Sequence, residues 1–350
     1  MMTQSASQTL PTLDFRRFEA EPAERASFLA ELRAAARGPG FFYLVGHGVE
    51  PDLIDQVLKL SRRFFALPEA DKLSIEMVNS PHFRGYNRAG YEHTRGKPDW
   101  REQVDIGAEK AAKPFDKSAP PWARLRGPNQ WPAALPELKP ALLNYQSKIT
   151  ELGIRVLSAF AAALDQPENA FEAIYTPEPN QLIKIIRYPG RQEGESDQGV
   201  GAHKDSGFLT LLLQESQAGL QVEGERGWID APPVTGSFVV NIGEILELAS
   251  NGYLRANVHR VVSPPAGADR LSVAFFLGAS HDAHVPVLYL APELAAEARG
   301  LTQDPQNPLF REAGRNYLKS RLRSHPDVAR RHHADLLDPG EKSPEHASAY

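Results

Sequence analysis

Apolar residues recur at helical spacing through the first half of the chain and gather into short strand-like runs in the second. Glu24 to Arg37 sets Phe28 and Leu32 four residues apart, with Pro22 near the start and Gly38 after the end, which predicts a helix. Phe41 to Val45 is a short apolar run stopped by Gly46-His47-Gly48 and predicts a buried strand. Leu53, Val57, Leu60 and Phe64 follow at steps of four, three and four, the signature of an amphipathic helix. From Asn79 to Lys117, Gly, Pro and charged residues alternate without a period, and the segment reads as loops. Leu142, Tyr145, Ile149, Leu152, Val156, Phe160 and Leu164 form the longest helical stripe, and its plain meaning is a core face.

The pattern changes near Gln181. Leu182 to Tyr188, Phe208 to Gln214, Leu220 to Val222, Ser237 to Ile242, His259 to Val262, Leu271 to Leu277 and Val285 to Leu290 are short apolar or β-branched runs separated by turn residues. Such a series predicts a β-sandwich or barrel. After Pro292 the composition is again charged and helical, and Pro339 to Tyr350 reads as a polar tail. No flexible linker separates these regions. The expectation is one integrated unit, mainly β with flanking helices (α+β): a mostly helical region 1–180, a β-core 181–290, and a helical region with tail 291–350.

Composition narrows the chemistry. Thirty-nine Lys and Arg against 44 Asp and Glu give a net charge of −5, so no basic field invites nucleic acid or anionic lipid. No cysteine is present, which excludes disulfides, a thiol nucleophile, thiolate zinc sites and iron–sulfur clusters. Any metal must be held by nitrogen and oxygen. The first residues are polar, and no apolar run approaches the roughly 18 residues of a spanning helix. Cytoplasm is the default expectation; the oligomeric state is not legible.

Three short segments carry the chemistry. In Gly201-Ala202-His203-Lys204-Asp205, an extended chain would send His203 and Asp205 to one side and Lys204 to the other. His259 lies in a second predicted strand. Two histidines and one carboxylate make a facial triad with open positions, suited to non-haem Fe(II). In a third strand Arg270 and Ser272 share a face, and a guanidinium facing a barrel interior is costly unless an anion pairs with it. A carboxylate clamp is the natural use.

Together these residues resemble the isopenicillin N synthase-like branch of the Fe(II)/2-oxoglutarate-dependent oxygenases. The resemblance runs through Gly40 to Val49, Phe83-Arg84-Gly85-Tyr86, Gly96 to Asp99, Arg187-Tyr188-Pro189, Asn241-Ile242-Gly243-Glu244, Ser250-Asn251-Gly252, the His203/Asp205 pair, His259-Arg260-Val261 and the Arg270/Ser272 pair. It implies a double-stranded β-helix (jelly roll) wrapped by helices. It also implies His203, Asp205 and His259 as iron ligands, Arg270 and Ser272 on the distal carboxylate of 2-oxoglutarate, and Tyr188 as a further contact to that co-substrate. The implied reaction consumes O2 and 2-oxoglutarate, oxidises a small organic substrate, and releases succinate and CO2. Ile186 stands where many plant members carry asparagine, so contacts to the co-substrate are expected to differ there.

An oxidase of the same fold that dispenses with 2-oxoglutarate, an ethylene-forming enzyme and a non-catalytic binding protein remain open. Glu92 to Asp99 also resembles bacterial ethylene-forming members. Arg84, Glu92, Thr94 and Asp99 fall in the segment expected to cover the site, with a solvated loop as the simplest reading of each. His47 reads as structural, His281 and His284 as loop residues without a third ligand, and His332 and His333 as solvated.

Overall fold

The computed structural model describes residues 9–112, 116, 118–193, 195–301 and 307–337, so the expected polar tail lies outside the described residues. Strand β1 (Thr12–Asp14) leads to helix α1 (Pro22–Arg37), β2 (Phe41–Val45), α2 (Pro51–Phe65) and the short α3 (Glu69–Leu73). Proline at the first turn of α1 and α2 suits a position whose N–H has no helical partner. Next come β3 (Gly85–Asn87), the two-residue strands β4 (His93–Thr94) and β5 (Lys97–Pro98), and β6 (Glu102–Gly107). Helices α4 (Leu138–Ala163) and α5 (Glu172–Tyr175) precede β7 (Asn180–Pro189), β8 (Gln198–His203), β9 (Leu209–Gln214), β10 (Leu220–Gly224), β11 (Gly227–Asp230) and β12 (Phe238–Ile242). Helix α6 (Glu244–Ala249), β13 (His259–Val262) and β14 (Asp269–Gly278) follow, and α7 (Pro292–Glu297), α8 (Ala313–Ser324) and α9 (Pro326–His332) end the described chain.

Eight strands form one sheet in the order β1-β2-β12-β9-β14-β7-β6-β3, and β11-β10-β13-β8 form a second. Both faces of the large sheet bury apolar side chains, which is why its central strands read as mainly apolar runs rather than alternating ones. Its outer face, with Ile183, Ile185, Leu211, Val273 and Phe275, packs with the α4 stripe of Tyr145, Ile149, Val156 and Phe160 in one continuous core. Its inner face, with Phe41, Tyr43, Ile186, Tyr188 and Ala274, packs against Val200, Leu220, Val222 and Val261 of the second sheet. The architecture is thus α+β, with helices on one side of the large sheet and the small sheet on the other.

Two expectations fail. Asn79 to Lys117 is not a run of loops, because β3 and β6 complete the large sheet and every residue of β6 is buried. Its polarity is internal. Lys184 pairs with Glu92 and Asp105, Arg101 with Glu92, and Arg321 of α8 with Asp105, so this buried charge is compensated within the fold. Val285 to Leu290, in contrast, is not a strand; Val285 and Leu288 pack into the core from irregular backbone. β11 was also not anticipated, since Gly227–Asp230 is too short and polar to stand out.

The same ion cluster surrounds His325, which is buried beside Glu92, Asp105, Lys184 and Arg321, with Asn87 on Nδ1. Burial, more than its charged neighbours, pushes the imidazole down to about 4. An unfolded histidine takes up its proton near pH 6.5, so stability is lost as pH falls from about 6.5 towards about 4, by roughly 3 kcal/mol at most. Melting temperature followed from pH 7 to 4.5 should fall less steeply for His325→Gln than for the parent chain. Equal slopes would remove His325 from the explanation.

Candidate active site

β8 and β13 are antiparallel neighbours with His203 directly opposite His259, so strand pairing alone brings the two imidazoles together. Their ring centroids are 4.3 Å apart. Asp205 lies two residues beyond His203, and its Oδ1 is 3.6 Å from His203 Nε2 and 3.7 Å from His259 Nε2. Lys204 points elsewhere, to Glu247. Among the described residues this is the one cluster of three His, Cys, Asp or Glu whose ligand atoms converge, all within 4.8 Å of one another.

Each ligand atom is oriented from behind. His203 Nδ1 lies 2.8 Å from the Gly201 carbonyl and His259 Nδ1 3.3 Å from the Asn257 carbonyl. A carbonyl only accepts, so the proton of the neutral ring sits on Nδ1 and each Nε2 keeps a lone pair for a metal. Asp205 Oδ2 accepts hydrogen bonds from the Thr210 hydroxyl and, at 2.7 Å, from the Asn241 amide, leaving Oδ1 to face the imidazoles. Burial alone would raise the Asp205 carboxyl, but His259, His203 and Asn241 outweigh it and hold the group well below the usual carboxylate range. Burial and the neighbouring His203 push His259 down to about 4, so it is neutral at pH 7. For His203 the Asp205 carboxylate outweighs burial and raises the imidazole. An anionic carboxylate and imidazole nitrogens, with no thiolate, fit a hard divalent cation such as Fe(II).

Thr210 and Asn241 are functional residues the sequence reading did not assign. Their signal was present: both interrupt apolar strands at inward-facing positions, and they are register partners across β9 and β12. Asn241→Ala should weaken Fe(II) binding about 10- to 100-fold by freeing Asp205 to rotate. Competition against a chromogenic chelator measures this, and an unchanged affinity would show that Thr210 suffices.

Arg270 is fully buried. Its Nη1 donates to Ser272 Oγ at 3.2 Å and its Nη2 to Gln214 Oε1 at 2.8 Å, while Nε has no partner. No carboxylate among the described residues lies within ion-pairing distance of it. Burial lowers its guanidinium, partly offset by Tyr188, whose ring lies 4.9 Å beneath it. A buried, charged fork held by neutral partners is what a dicarboxylate's far end would complete, so the residues present fit 2-oxoglutarate. Gly219 is required here: at φ +150°, a Cβ would meet the Val262 carbonyl at 2.6 Å and Arg270 Cδ at 3.2 Å. Ile186, opposite Ser272 in the β7–β14 ladder, is part of the apolar inner face and offers no polar contact.

A cavity of about 820 Å³ opens on His203 and Asp205 and is lined also by Val258 and Phe276 together with Arg84, Glu92, Thr94 and Arg101. The segment expected to cover the site therefore does line it, with Thr94 half-buried and only its intervening residues such as Arg95 and Lys97 exposed. Arg84, Glu92 and Asp99 are buried, and Asp99 bolts the segment to β8 by accepting from Gly201 N at 3.1 Å and from Thr94. His47 is structural, accepting from Val49 N and packing on Phe238. His333 corrects its expectation: it is buried, stacked on Phe83 at 5.1 Å, with Nε2 on the Pro81 carbonyl. His332 is half-buried on the Val78 carbonyl, not fully solvated. His281 lines the cavity, and among the described residues neither it nor His284 belongs to a ligand cluster.

A convergent His-Asp-His set, in a fold that also buries a guanidinium without a carboxylate partner, suits an oxygenase site of the non-haem iron class. Residues 10–134 match the family model for the non-haem dioxygenase in morphine synthesis N-terminal region, and residues 179–279 match that of the 2OG-Fe(II) oxygenase superfamily. The chain is 38% identical over 342 residues to the 2-oxoglutarate-dependent dioxygenase frbJ of Dothideomycetidae sp. (strain 11243), covering 91% of this chain and 90% of that protein. It is 36% identical over 308 residues to the homoarginine-6-hydroxylase 2-ODD-C23.1 of Arabidopsis thaliana, covering 84% and 91%. A full-length Neurospora crassa protein, solved in complex with alpha-KG and thymine, superposes with a TM-score of 0.73 at 25% identity, covering 96% of this chain and 99% of that one. The chain belongs to the 2-oxoglutarate/Fe(II) oxygenase superfamily. It is an oxidoreductase that uses Fe(II), 2-oxoglutarate and O2 to oxidise a small organic substrate, with release of succinate and CO2. No helix among the described residues is long and apolar enough to cross a membrane.

Proposed function

We propose that His203, Asp205 and His259 hold the Fe(II), that Arg270 and Ser272 bind the distal carboxylate of 2-oxoglutarate, and that the reaction is a hydroxylation. The observation that carries the assignment is the convergence of three oriented ligand atoms within 4.8 Å. The outcome rests on the hydroxylase names of relatives at 36–37% identity. When bound, the iron supplies O2 activation coupled to oxidative decarboxylation of 2-oxoglutarate. The chain's own residues orient and exclude. Gly201 O, Asn257 O, Thr210 and Asn241 fix the ligand atoms, while Phe41 packs edge-on against His259 at 5.1 Å and keeps water from that side. Tyr188 supports Arg270 from below rather than offering a free hydroxyl, because that hydroxyl also interacts with Arg101.

We read the two facing sheets as a double-stranded β-helix, and the regions 1–180, 181–290 and 291–350 as parts of one unit. The buried ion cluster supports the second point, since it joins Glu92 and Asp105 to Lys184 and to Arg321. The test is an anaerobic titration with Fe(II) and 2-oxoglutarate, following the visible charge-transfer band, then product analysis for one incorporated oxygen. Turnover without succinate release would overturn the reading.

A further inference from the structure

From His203 and Asp205 the cavity extends to the end of the β7–β14 ladder opposite Arg270, which does not itself line it. In the β7–β14 ladder Arg270 pairs with Tyr188, and eight residues along, Gly278 pairs with Asn180. At about 3.3 Å per residue those pairs are about 26 Å apart. Gly107 pairs with Leu182 at this far end, and Arg84 lies against it; a Cβ on Gly107 would come within 2.4 Å of Arg84 Nε. His281 follows the end of β14, and Arg321 reaches in from α8. Arg84, Asn180, His281 and Arg321 all line the cavity that holds His203 and Asp205.

Charge does not balance there. Arg101, Lys184 and Arg321 are paired with Glu92, Asp99 and Asp105. Arg95, Lys204, Lys319 and Arg323 also line the cavity but are not buried. Arg84 is buried, and no carboxylate among the described residues pairs with it. Its Nη1 donates to the carbonyls of His82 and Phe83, its Nη2 to that of Leu125, and its Nε is buried without a partner. A guanidinium this deep, held by neutral carbonyls only and close to a second guanidinium, lacks one anion. Burial and Arg321, offset in part by the field of Asp105, lower it to about 10, which leaves it charged at pH 7. His281 is neutral, pushed down to about 3 by burial and nearby arginines, and its ring makes no hydrogen bond among the described residues, so a ring N–H is free to donate.

We infer that Arg84, His281 and Arg321 form a subsite for a carboxylate of the primary substrate, which makes the substrate a small carboxylic acid. This deepens the oxygenase reading and rests on it. One negative charge matches the one buried guanidinium at this end that has no carboxylate partner among the described residues, which favours carboxylate over phosphate. The subsite is separate from the Arg270 clamp, so acid substrate and 2-oxoglutarate bind together, with the rest of the substrate extending along the cavity towards the triad.

The test titrates the protein, with and without saturating Fe(II) and 2-oxoglutarate under nitrogen, with hexanoate, benzoate, their primary amides and inorganic phosphate. At least one acid should bind the loaded protein, its amide at least about 10-fold more weakly, as expected for loss of a charge-assisted pair. Arg84→Gln should weaken the acid by a similar factor while the 2-oxoglutarate charge-transfer band still forms. Arg84→Lys and His281→Asn, milder changes, should lie between, and they carry the test if Arg84→Gln does not fold. Equal binding of acid and amide, preference for phosphate, no acid bound, or indifference to all three variants would overturn the subsite. A charge-transfer band absent from the parent protein would instead strike at the oxygenase reading, which separates the two failures.

Discussion

Asp205→Ala is expected to abolish Fe(II)-dependent succinate release while leaving the fold in place. Asp205 presents Oδ1 to both imidazoles, and no other carboxylate among the described residues joins this cluster to replace it. Two neutral imidazoles alone make a weak, poorly selective site for a hard cation. The fold should survive because Asp205 follows β8 and adds no strand hydrogen bonds of its own to the His203–His259 pairing. Thr210 and Asn241 lose an acceptor, at about 1–3 kcal/mol for a buried polar group left unpaired. The measurement is succinate release beside a thermal melt, with His203→Ala as a parallel. Full activity in both variants would refute the ligand assignment.

Arg270→Ala is expected to weaken 2-oxoglutarate by about 30-fold or more, with a smaller effect on Fe(II). Truncating one side of a buried, hydrogen-bonded charge pair costs about 2–5 kcal/mol, and each 1.4 kcal/mol is tenfold. Arg270→Lys should recover only part, because an ammonium cannot present a planar fork beside Ser272. The titration is the anaerobic one, read as apparent affinity. Unchanged 2-oxoglutarate dependence in an active enzyme would mean that the clamp serves the substrate, as in an oxidase of the same fold.

The legible parts of the fold were those with a strong period or a clean apolar run. The α4 stripe, Phe41–Val45 and His259–Val262 are found as read. β6 was missed because Glu102, Gln103 and Asp105 disguise a buried strand, and their compensation comes from Lys72, Arg187, Lys184 and Arg321, far along the chain. Val285 to Leu290 misled for the opposite reason: Val285, Leu288 and Leu290 serve the core from irregular backbone, while Val287 and Tyr289 are exposed. At the site, His203, Asp205, His259, Arg270 and Ser272 were readable because charged or metal-binding side chains are conspicuous in a β-region. Thr210, Gln214 and Asn241 were not, since a neutral polar residue declares its role only when its acceptor or donor is in view. Arg84 was visible as a residue but not as a surplus charge, which takes a census of every buried neighbour.

The histidine Nδ1 contacts have a consequence for how such enzymes diversify. Each ring is aimed by the carbonyl two residues earlier in its own segment, so both imidazoles are set by main chain rather than by a replaceable side chain. Part of the cavity wall comes from residues 84–107 and helix α8. The two are joined at one point, where Asp99 accepts from Gly201 N. Drift at Arg84 or in α8 can therefore reshape the wall without touching that bond, whereas change at Asp99 reaches the backbone that aims His203.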